Sequence, residues 1–102
     1  MQLYRKKRVE LVVETARAKA IIEMIDAAGA KGYTVLQDVA GKGNRGIRDE
    51  AHLTGLFSNT LIIVIAAEDV ARRIVERSQP LLENYAGIVA LSDVEVVRDE
   101  HF

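Results

Sequence analysis

Residues 60–67 read Thr-Leu-Ile-Ile-Val-Ile-Ala-Ala, and this stretch decides the fold of the chain. Its run of large aliphatic residues, mostly β-branched, is typical of a strand covered on both faces. Side chains of a strand alternate between the two faces of its sheet, so helices on one face alone cannot cover this strand. We therefore expect a layer of helices on one face and another copy of the chain on the other.

The segment that precedes this strand predicts two further strands and a helix. Residues 8–14 place apolar and charged side chains with a period of two, which predicts a strand. Aliphatic residues at helical spacing predict a helix over residues 18–28, with Thr15 as its N-cap and Gly29 as its stop. Residues 33–39 alternate again and predict the second strand.

A second helix is predicted to follow the central strand. Glu68 and Asp69 open it, because acidic side chains suit a helix N-terminus. We expect Pro80 to kink or split this helix near Ser78, since proline lacks the N–H that an interior turn needs. We expect Gly87 to end it.

The last strand is predicted over residues 88–91 and 94–97, with an interruption or bulge at Ser92 and Asp93. The order of elements is then β-α-β-β-α-β. This order predicts an α+β, ferredoxin-like fold with a four-stranded antiparallel sheet and two helices on one face.

Residues 41–48 read Gly-Lys-Gly-Asn-Arg-Gly-Ile-Arg and begin a long loop without convincing periodicity. Glycine allows a backbone N–H to approach a ligand closely. Lys42, Arg45 and Arg48 add positive charge, and an arginine can bind a phosphate or carboxylate with two parallel hydrogen bonds. The stretch therefore predicts an anion-binding loop. We expect the loop, residues 42–57, to be mobile without a ligand.

The composition limits the class of protein. The chain has 102 residues, which is the size of one domain, with 14 basic and 15 acidic residues. A net charge of −1 argues against nucleic-acid or membrane binding through bulk electrostatics. The absence of cysteine excludes disulfides, thiolate zinc sites and a cysteine nucleophile. The start is basic rather than apolar, and no apolar run could span a bilayer, so we expect a cytoplasmic protein.

Other polar residues are interpreted as solvated. This holds for the basic run at residues 5–8 and for both histidines, His52 in the long loop and His101 near the end of the chain. No Ser-His-Asp set and no metal-ligand spacing stands out. The predicted central strands lack the aromatic side chains with which a sheet binds RNA.

Three segments resemble the PII-like signalling proteins, above all the SbtB-type and carboxysome-associated (CPII) members. They are residues 29–35, Gly-Ala-Lys-Gly-Tyr-Thr-Val, residues 41–45, Gly-Lys-Gly-Asn-Arg, and residues 84–88, Asn-Tyr-Ala-Gly-Ile. The resemblance covers nearly the whole chain. It implies a homotrimer that binds adenine nucleotides in clefts between subunits and contacts partner proteins through a long loop, the T-loop.

The resemblance also implies which residues bind the nucleotide. The T-loop corresponds to about residues 41–58, its base at residues 41–48 would wrap the phosphate, and residues 85–88 correspond to the short B-loop. Arg45 and Arg48 match phosphate-contacting arginines of the SbtB-type loop. The implied set is Gly41, Lys42, Gly43, Asn44, Arg45, Arg48, Tyr85, Ala86, Gly87 and Ile88.

The chain also departs from the family pattern. The Gly-Asp-Gly-Lys stretch with which standard PII proteins hold polyphosphate is absent, which favours AMP, ADP or cyclic AMP over ATP. Arg98 is the other nearby cation by sequence. The predicted T-loop has no tyrosine, so uridylylation there is excluded. A cysteine-bearing C-terminal extension, found in some SbtB-type proteins, is also absent, so we expect no redox control through it.

The function implied is a non-enzymatic regulator of inorganic-carbon uptake or carboxysome-linked metabolism. It would sense adenine nucleotides, with bicarbonate as a further ligand, and would act on a protein such as a bicarbonate transporter. It would bind no nucleic acid and meet a membrane only through its partner. A small trimeric enzyme or metal-binding protein with a site between subunits, and a ligand-free assembly module, remain open alternatives.

Overall fold

The computed structural model describes residues 1–43, 46–47 and 58–102. A single 3-10 turn, Thr15–Arg17, joins the first strand to the first helix. The elements are β1 (Tyr4–Glu14), α1 (Ala18–Ala27), β2 (Thr34–Val39), β3 (Lys42–Gly43), β4 (Gly46–Ile47), β5 (Asn59–Ala66), α2 (Glu68–Leu82) and β6 (Gly87–Val96).

Four strands form the main sheet in the order β2-β5-β1-β6. Every neighbouring pair is antiparallel, with Val9 opposite both Val64 and Leu91. The predicted ferredoxin-like α+β fold is therefore confirmed. The short strands β3 and β4 pair with each other, within the segment for which the sequence showed no periodicity.

One face of the sheet packs against both helices and forms the core. Alternate residues of the two central strands point to this face, which is why Val9, Leu11 and Val13 are fully buried. The helices contribute side chains at helical spacing to the same layer. The buried apolar residues are Val9, Leu11, Val13, Ile21, Met24, Ile25, Ala28, Ile62, Val64, Ala66, Ala71 and Ile74.

The opposite face of the sheet is open in the single chain. Leu36, Leu61, Val12 and Ile88 lie opposite one another across all four strands, and we call them the open-face row. Its outer members are exposed, Leu36 by 43% and Ile88 by 63%. Ile63, which lies on the same face of β5, is half-buried. The sequence-based prediction that β5 is apolar on both faces is confirmed.

Gly29 ends α1 as predicted. Its φ of +101° is in a region that residues with a side chain rarely adopt. The N–H of Gly29 donates to the carbonyl of Asp26 at 3.1 Å, and that of Ala30 donates to the carbonyl of Ile25 at 3.3 Å. Arg73 of α2 adds a hydrogen bond from Nε to the carbonyl of Ala28 at 3.0 Å. These contacts satisfy carbonyls that the last helical turn leaves free.

Two expectations for α2 are wrong. The helix is not split at Ser78 but runs uninterrupted through Pro80, although the proline has no N–H to donate to the carbonyl of Glu76. The helix also ends at Leu82, before Gly87, which instead begins β6. A Cβ at Gly87 would lie 3.1 Å from the carbonyl oxygen of Val12, so a larger residue there would push the two strands apart by a few tenths of an ångström.

The predicted interruption of the last strand is also wrong, because β6 is continuous through Ser92 and Asp93. Asp93 lies opposite Lys7 of β1, and the two side chains form an ion pair. The hydrogen bond and charge of Lys7 lower the pKa of the Asp93 carboxyl. A polar pair that looks like a break in the local sequence is therefore a cross-strand contact.

The basic run at residues 5–8 is not a solvated terminus, since it lies within β1. The side chain of Lys6 is only 13% exposed and binds Asp99 at 2.7 Å. Its ammonium also lies 6.0 Å from the ring centroid of Phe102. The last residues of the chain are thus held against the first strand.

Within the part of the chain that the structure describes, no helix is long and apolar enough to cross a membrane.

Candidate functional site

The loop base, residues 41–48, and the predicted B-loop, residues 85–88, adjoin the same end of the sheet. Here β2 ends at Val39 and β1 ends at Glu14, each opposite Asn59, while Val13 lies opposite Gly87. We call this the loop end and the opposite end the far end. The loop base therefore leaves the sheet at the end where the predicted B-loop enters it.

The two segments nevertheless lie on opposite edges. Strand β2 forms one edge of the sheet and β6 the other, with β5 and β1 between them. At about 4.8 Å per strand, Val39 and Gly87 are separated by roughly 14 Å. One chain thus brings both halves of the candidate site to one end of the sheet without joining them.

A bulge sets the direction in which the loop base leaves β2. Gln37 and Asp38 together face a single residue of β5, because Leu36 lies opposite Leu61 and Val39 opposite Asn59. Asp38 has a φ of +57°, a conformation in which aspartate and asparagine are enriched among non-glycine residues. Bulges bend a strand and change where the following residues point, and they are frequent beside functional sites. The alternation of residues 33–39 did not indicate this bulge.

The loop base continues into the small β3–β4 hairpin, in which Lys42 lies opposite Ile47 and Gly43 opposite Gly46. Gly41 is exposed and precedes the hairpin. The structure thus places Gly41, Lys42 and Gly43 at the loop end. The remaining predictions for this loop concern residues outside the described part of the chain. They are the phosphate contacts of Asn44, Arg45 and Arg48, the solvated His52, and the mobility of the loop.

The predicted B-loop, residues 85–88, follows α2 after a turn of two residues, Glu83 and Asn84. The N–H of Tyr85 donates to the carbonyl of Leu82 at 3.1 Å, which makes a tight turn after the helix. Tyr85 and Ile88 are exposed by 43% and 63%. Ala86 is half-buried, and Gly87 begins β6. The backbone of the segment therefore reaches the surface at the loop end, where it could contact a ligand.

Arg17 is a residue near this segment that sequence analysis missed. Its guanidinium carbon lies 4.2 Å from the ring centroid of Tyr85, which is a cation–π contact. Its Nε is buried and has no hydrogen-bond partner among the described residues. Nothing in the local sequence indicates this contact, because the two residues are far apart in the chain and come together only in the folded protein.

Thr15 has a different role from the one predicted. It is not the N-cap of α1, because a 3-10 turn precedes the helix and the N-cap residue, Arg17, makes no side-chain capping bond. The Thr15 hydroxyl instead accepts a hydrogen bond from Ser58 Oγ at 3.0 Å and shares another with Thr60 Oγ1 at 2.9 Å. Its backbone N–H donates to the carbonyl of Ser58 at 2.8 Å. Thr15 thus holds the chain where it returns from the long loop.

Two further charged groups, Arg98 and Glu68, lie away from the loop end. Arg98 follows β6, so within one chain it is about 30 Å from Gly87 and does not join this site. Glu68 begins α2 at the far end, where the hydrogen bond and charge of Arg72 lower the pKa of its carboxyl. Among the described residues, no three His, Cys, Asp or Glu side chains come together as metal ligands.

A groove of about 310 Å³ opens between the end of α2 and β6, beside the predicted B-loop. The hydroxyl of Ser78 in this groove already donates to the carbonyl of Val75 at 2.7 Å. The lining is apolar or neutral, so it does not suit a phosphate. The lining residues are Val75, Ser78, Gln79, Leu82, Gly87 and Val89.

The sequence and the fold both match known proteins. A family model for nitrogen regulatory protein P-II matches residues 6–101. The structure of CPII, a nitrogen regulatory PII-like protein from Thiomonas intermedia K12 bound to ADP, AMP and bicarbonate, matches with a TM-score of 0.85 and 30% identity, covering 95% of this chain and 92% of that chain. A complex of CPII with ADP and bicarbonate matches with a TM-score of 0.83 and 33% identity, covering 95% of this chain and 93% of that chain. A protein of Thermus thermophilus described as a PII-like signalling protein matches with a TM-score of 0.76 and 32% identity, covering 96% of this chain and 95% of that chain.

Proposed function

The chain belongs to the nitrogen regulatory P-II family, and we propose that it is a non-enzymatic member that senses adenine nucleotides. The observation that carries this proposal is the match to CPII bound to ADP, AMP and bicarbonate, which covers 95% of the chain. The placement of the loop base and the predicted B-loop at one end of the sheet supports it. Both segments offer glycine backbone to a ligand there.

We propose that the ligand lies between copies of the chain in a homotrimer. The loop base and the predicted B-loop lie on opposite edges of one sheet, roughly 14 Å apart, so one chain leaves each half of the site open on one side. The open-face row offers an apolar surface that a second copy could cover. Closed symmetry would bury the same row in every subunit.

The proposed ligands are AMP, ADP or cyclic AMP, which bind at least as well as ATP. Each added phosphate brings charge that must be neutralised when it leaves water. The loop base supplies one cationic cluster, Lys42 with Arg45 and Arg48, and the predicted B-loop supplies no lysine. Bicarbonate, which is a ligand of CPII, would fill donor positions left open beside the phosphate.

The proposed output is a contact between the T-loop, residues 41–58, and another protein. Nucleotide bound at the loop base would change which loop conformations a partner meets. By resemblance, the partner is a bicarbonate transporter or a component of carboxysome-linked metabolism. The protein would then be cytoplasmic and would reach a membrane only through that partner.

A thermal-shift screen tests the proposed ligands. The purified protein is heated with AMP, ADP, cyclic AMP or ATP, each with and without bicarbonate. A ligand that binds only the folded state raises the midpoint of unfolding. We expect a rise with AMP, ADP or cyclic AMP. No change with any of the four nucleotides at millimolar concentration would contradict the proposal.

A further inference from the structure

We propose that the turn Thr15–Arg17 connects the two segments of the nucleotide site, with Arg17 as the positioning residue for Tyr85. The other contact of the turn is with Ser58, which precedes Asn59, the residue opposite Val39 where the loop base leaves the sheet. This inference rests on the proposed function, because it assumes that the loop base and residues 85–88 bind one ligand. The two halves lie on opposite edges of the sheet and need a physical connection if they are to respond together. The turn lies at the same end, between the end of β1 and the start of α1.

The first contact of the turn is with residue 85. The Arg17 guanidinium carbon lies 4.2 Å from the centroid of the Tyr85 ring. Since Arg17 Nε is buried without a hydrogen-bond partner among the described residues, the ring is the contact that the structure shows for this guanidinium. Tyr85 follows α2 and is 43% exposed, so its side chain is only partly packed against the rest of the chain. Arg17 therefore limits where the backbone of residues 85–88 can go.

The second contact is with the end of the long loop. Thr15 binds Ser58 twice, through its backbone N–H at 2.8 Å and through its hydroxyl at 3.0 Å. A further hydroxyl contact joins it to Thr60 at 2.9 Å. Ser58 and Thr60 are 6% and 1% exposed, whereas Thr15 is exposed, so these hydrogen bonds are partly buried. Thr15 therefore fixes the position where the predicted T-loop rejoins the sheet.

The turn is short enough to carry a displacement from one contact to the other. It contains three residues, and the N–H of Ala18 donates to the carbonyl of Thr15, which closes the turn. On either side the chain is held in the core, since Val13 and Ile21 are both fully buried. A movement of Tyr85 would thus act on Thr15 rather than be absorbed by a flexible segment.

Hydrogen exchange in the ligand-free protein tests the connection without assuming any ligand. The amide of Thr15 is compared with the core amide of Val64 by NMR. An exposed cation–π contact shifts a local equilibrium by about two- to fivefold. We expect Tyr85→Ala and Arg17→Ala to speed exchange at Thr15 by about that factor relative to Val64, and Tyr85→Phe, which keeps the ring, to leave it unchanged. Equal rates at Thr15 in the wild type and Tyr85→Ala, or the same acceleration in Tyr85→Phe as in Tyr85→Ala, would overturn the proposal.

Calorimetry with ADP then tests the link to the site. We expect Arg17→Ala to weaken ADP binding by about two- to fivefold with little change in the midpoint of unfolding. Arg72→Ala is the matched control, because it removes the same charge from an exposed side chain at the far end. Equal ADP affinity in Arg17→Ala and Arg72→Ala would contradict the positioning role. If the wild type binds no nucleotide, the proposed function fails, while the exchange experiment still decides whether the turn connects residues 58 and 85.

Discussion

The two ends of the sheet treat positive charge differently. At the far end, Lys6 and Lys7 are each paired with an acidic side chain from another part of the chain, Asp99 and Asp93. At the loop end, the guanidinium of Arg17 lies on an aromatic ring and its Nε has no hydrogen-bond partner among the described residues. A cation that is paired with a carboxylate of its own chain stabilises the fold and is not free to bind an anion. The difference teaches that the net charge of a small domain says little about where it can bind an anion.

The largest expected effect concerns the open-face row, where we propose that copies of the chain meet. We expect the wild type to be a trimer and Leu61→Glu to be a monomer, because a carboxylate in the open-face row would have to leave water when the sheets meet. Sedimentation equilibrium measures the mass of each. Ala27→Glu, on the exposed surface of α1, adds the same charge away from that row and should remain trimeric. A wild type that is monomeric at micromolar concentration would end this claim.

The next effect separates ligand binding from stability. Arg45 and Arg48 are proposed to donate charge-assisted hydrogen bonds to phosphate, each contributing about 1.5–3 kcal/mol. Arg45→Ala and Arg48→Ala should each weaken ADP binding by about tenfold or more in calorimetry. The midpoint of unfolding without ligand should hardly change. Wild-type affinity in both variants would show that phosphate is bound elsewhere.

Gly29, at the far end, should affect stability and leave ligand binding unchanged. An alanine at a φ of +101° is strained, although its Cβ would make only ordinary contacts, with Arg73 Nη2 at 3.7 Å and Val70 Cγ2 at 3.8 Å. We expect Gly29→Ala to lower the free energy of unfolding by about 1–2 kcal/mol in urea denaturation. ADP affinity should stay that of the wild type. A variant as stable as the wild type would mean that the chain relieves the strain.

The smallest effect is a pH dependence at the far end. The hydrogen bond and charge of Lys7 lower the pKa of Asp93 in the folded state. A lowered folded pKa means that the contribution to stability is present above the unfolded pKa and is lost as pH falls through the folded pKa. Asp93→Asn should therefore be slightly less stable than the wild type near neutral pH, and the difference should shrink in acid. A difference that grows as the solution is acidified through the pKa of the carboxyl would contradict the assignment.

Local patterns were sufficient for the order of the two helices and the four strands of the main sheet, but not for their ends or for the β3–β4 hairpin. Periodicity predicted the core positions of β1 and β5, because burial on one face imposes alternation. It missed the start of β1 at Tyr4 and the continuity of β6, since Lys7 and Asp93 are 86 residues apart and stabilise each other only across the sheet.

The residues of the candidate site stay a prediction, and the sequence indicated only the two segments that contain them. The glycines and cations of residues 41–48 indicated an anion loop, and resemblance supplied residues 85–88. That the two segments lie on opposite edges follows from strand order, which no local motif contains. The contact of Arg17 with Tyr85 could likewise not be predicted from the sequence, because it depends on how the β1–α1 turn packs against the segment that follows α2.

Titration calorimetry of the wild-type protein with AMP, ADP, cyclic AMP and ATP tests the central claim most directly. If the chain is an adenine-nucleotide sensor of the P-II family, at least one of AMP, ADP and cyclic AMP binds as tightly as ATP or more tightly. The match to CPII bound to ADP and AMP supports this expectation. Heats no larger than those of dilution for all four nucleotides would contradict the claim. ATP binding ten times tighter than the other three would contradict the selectivity.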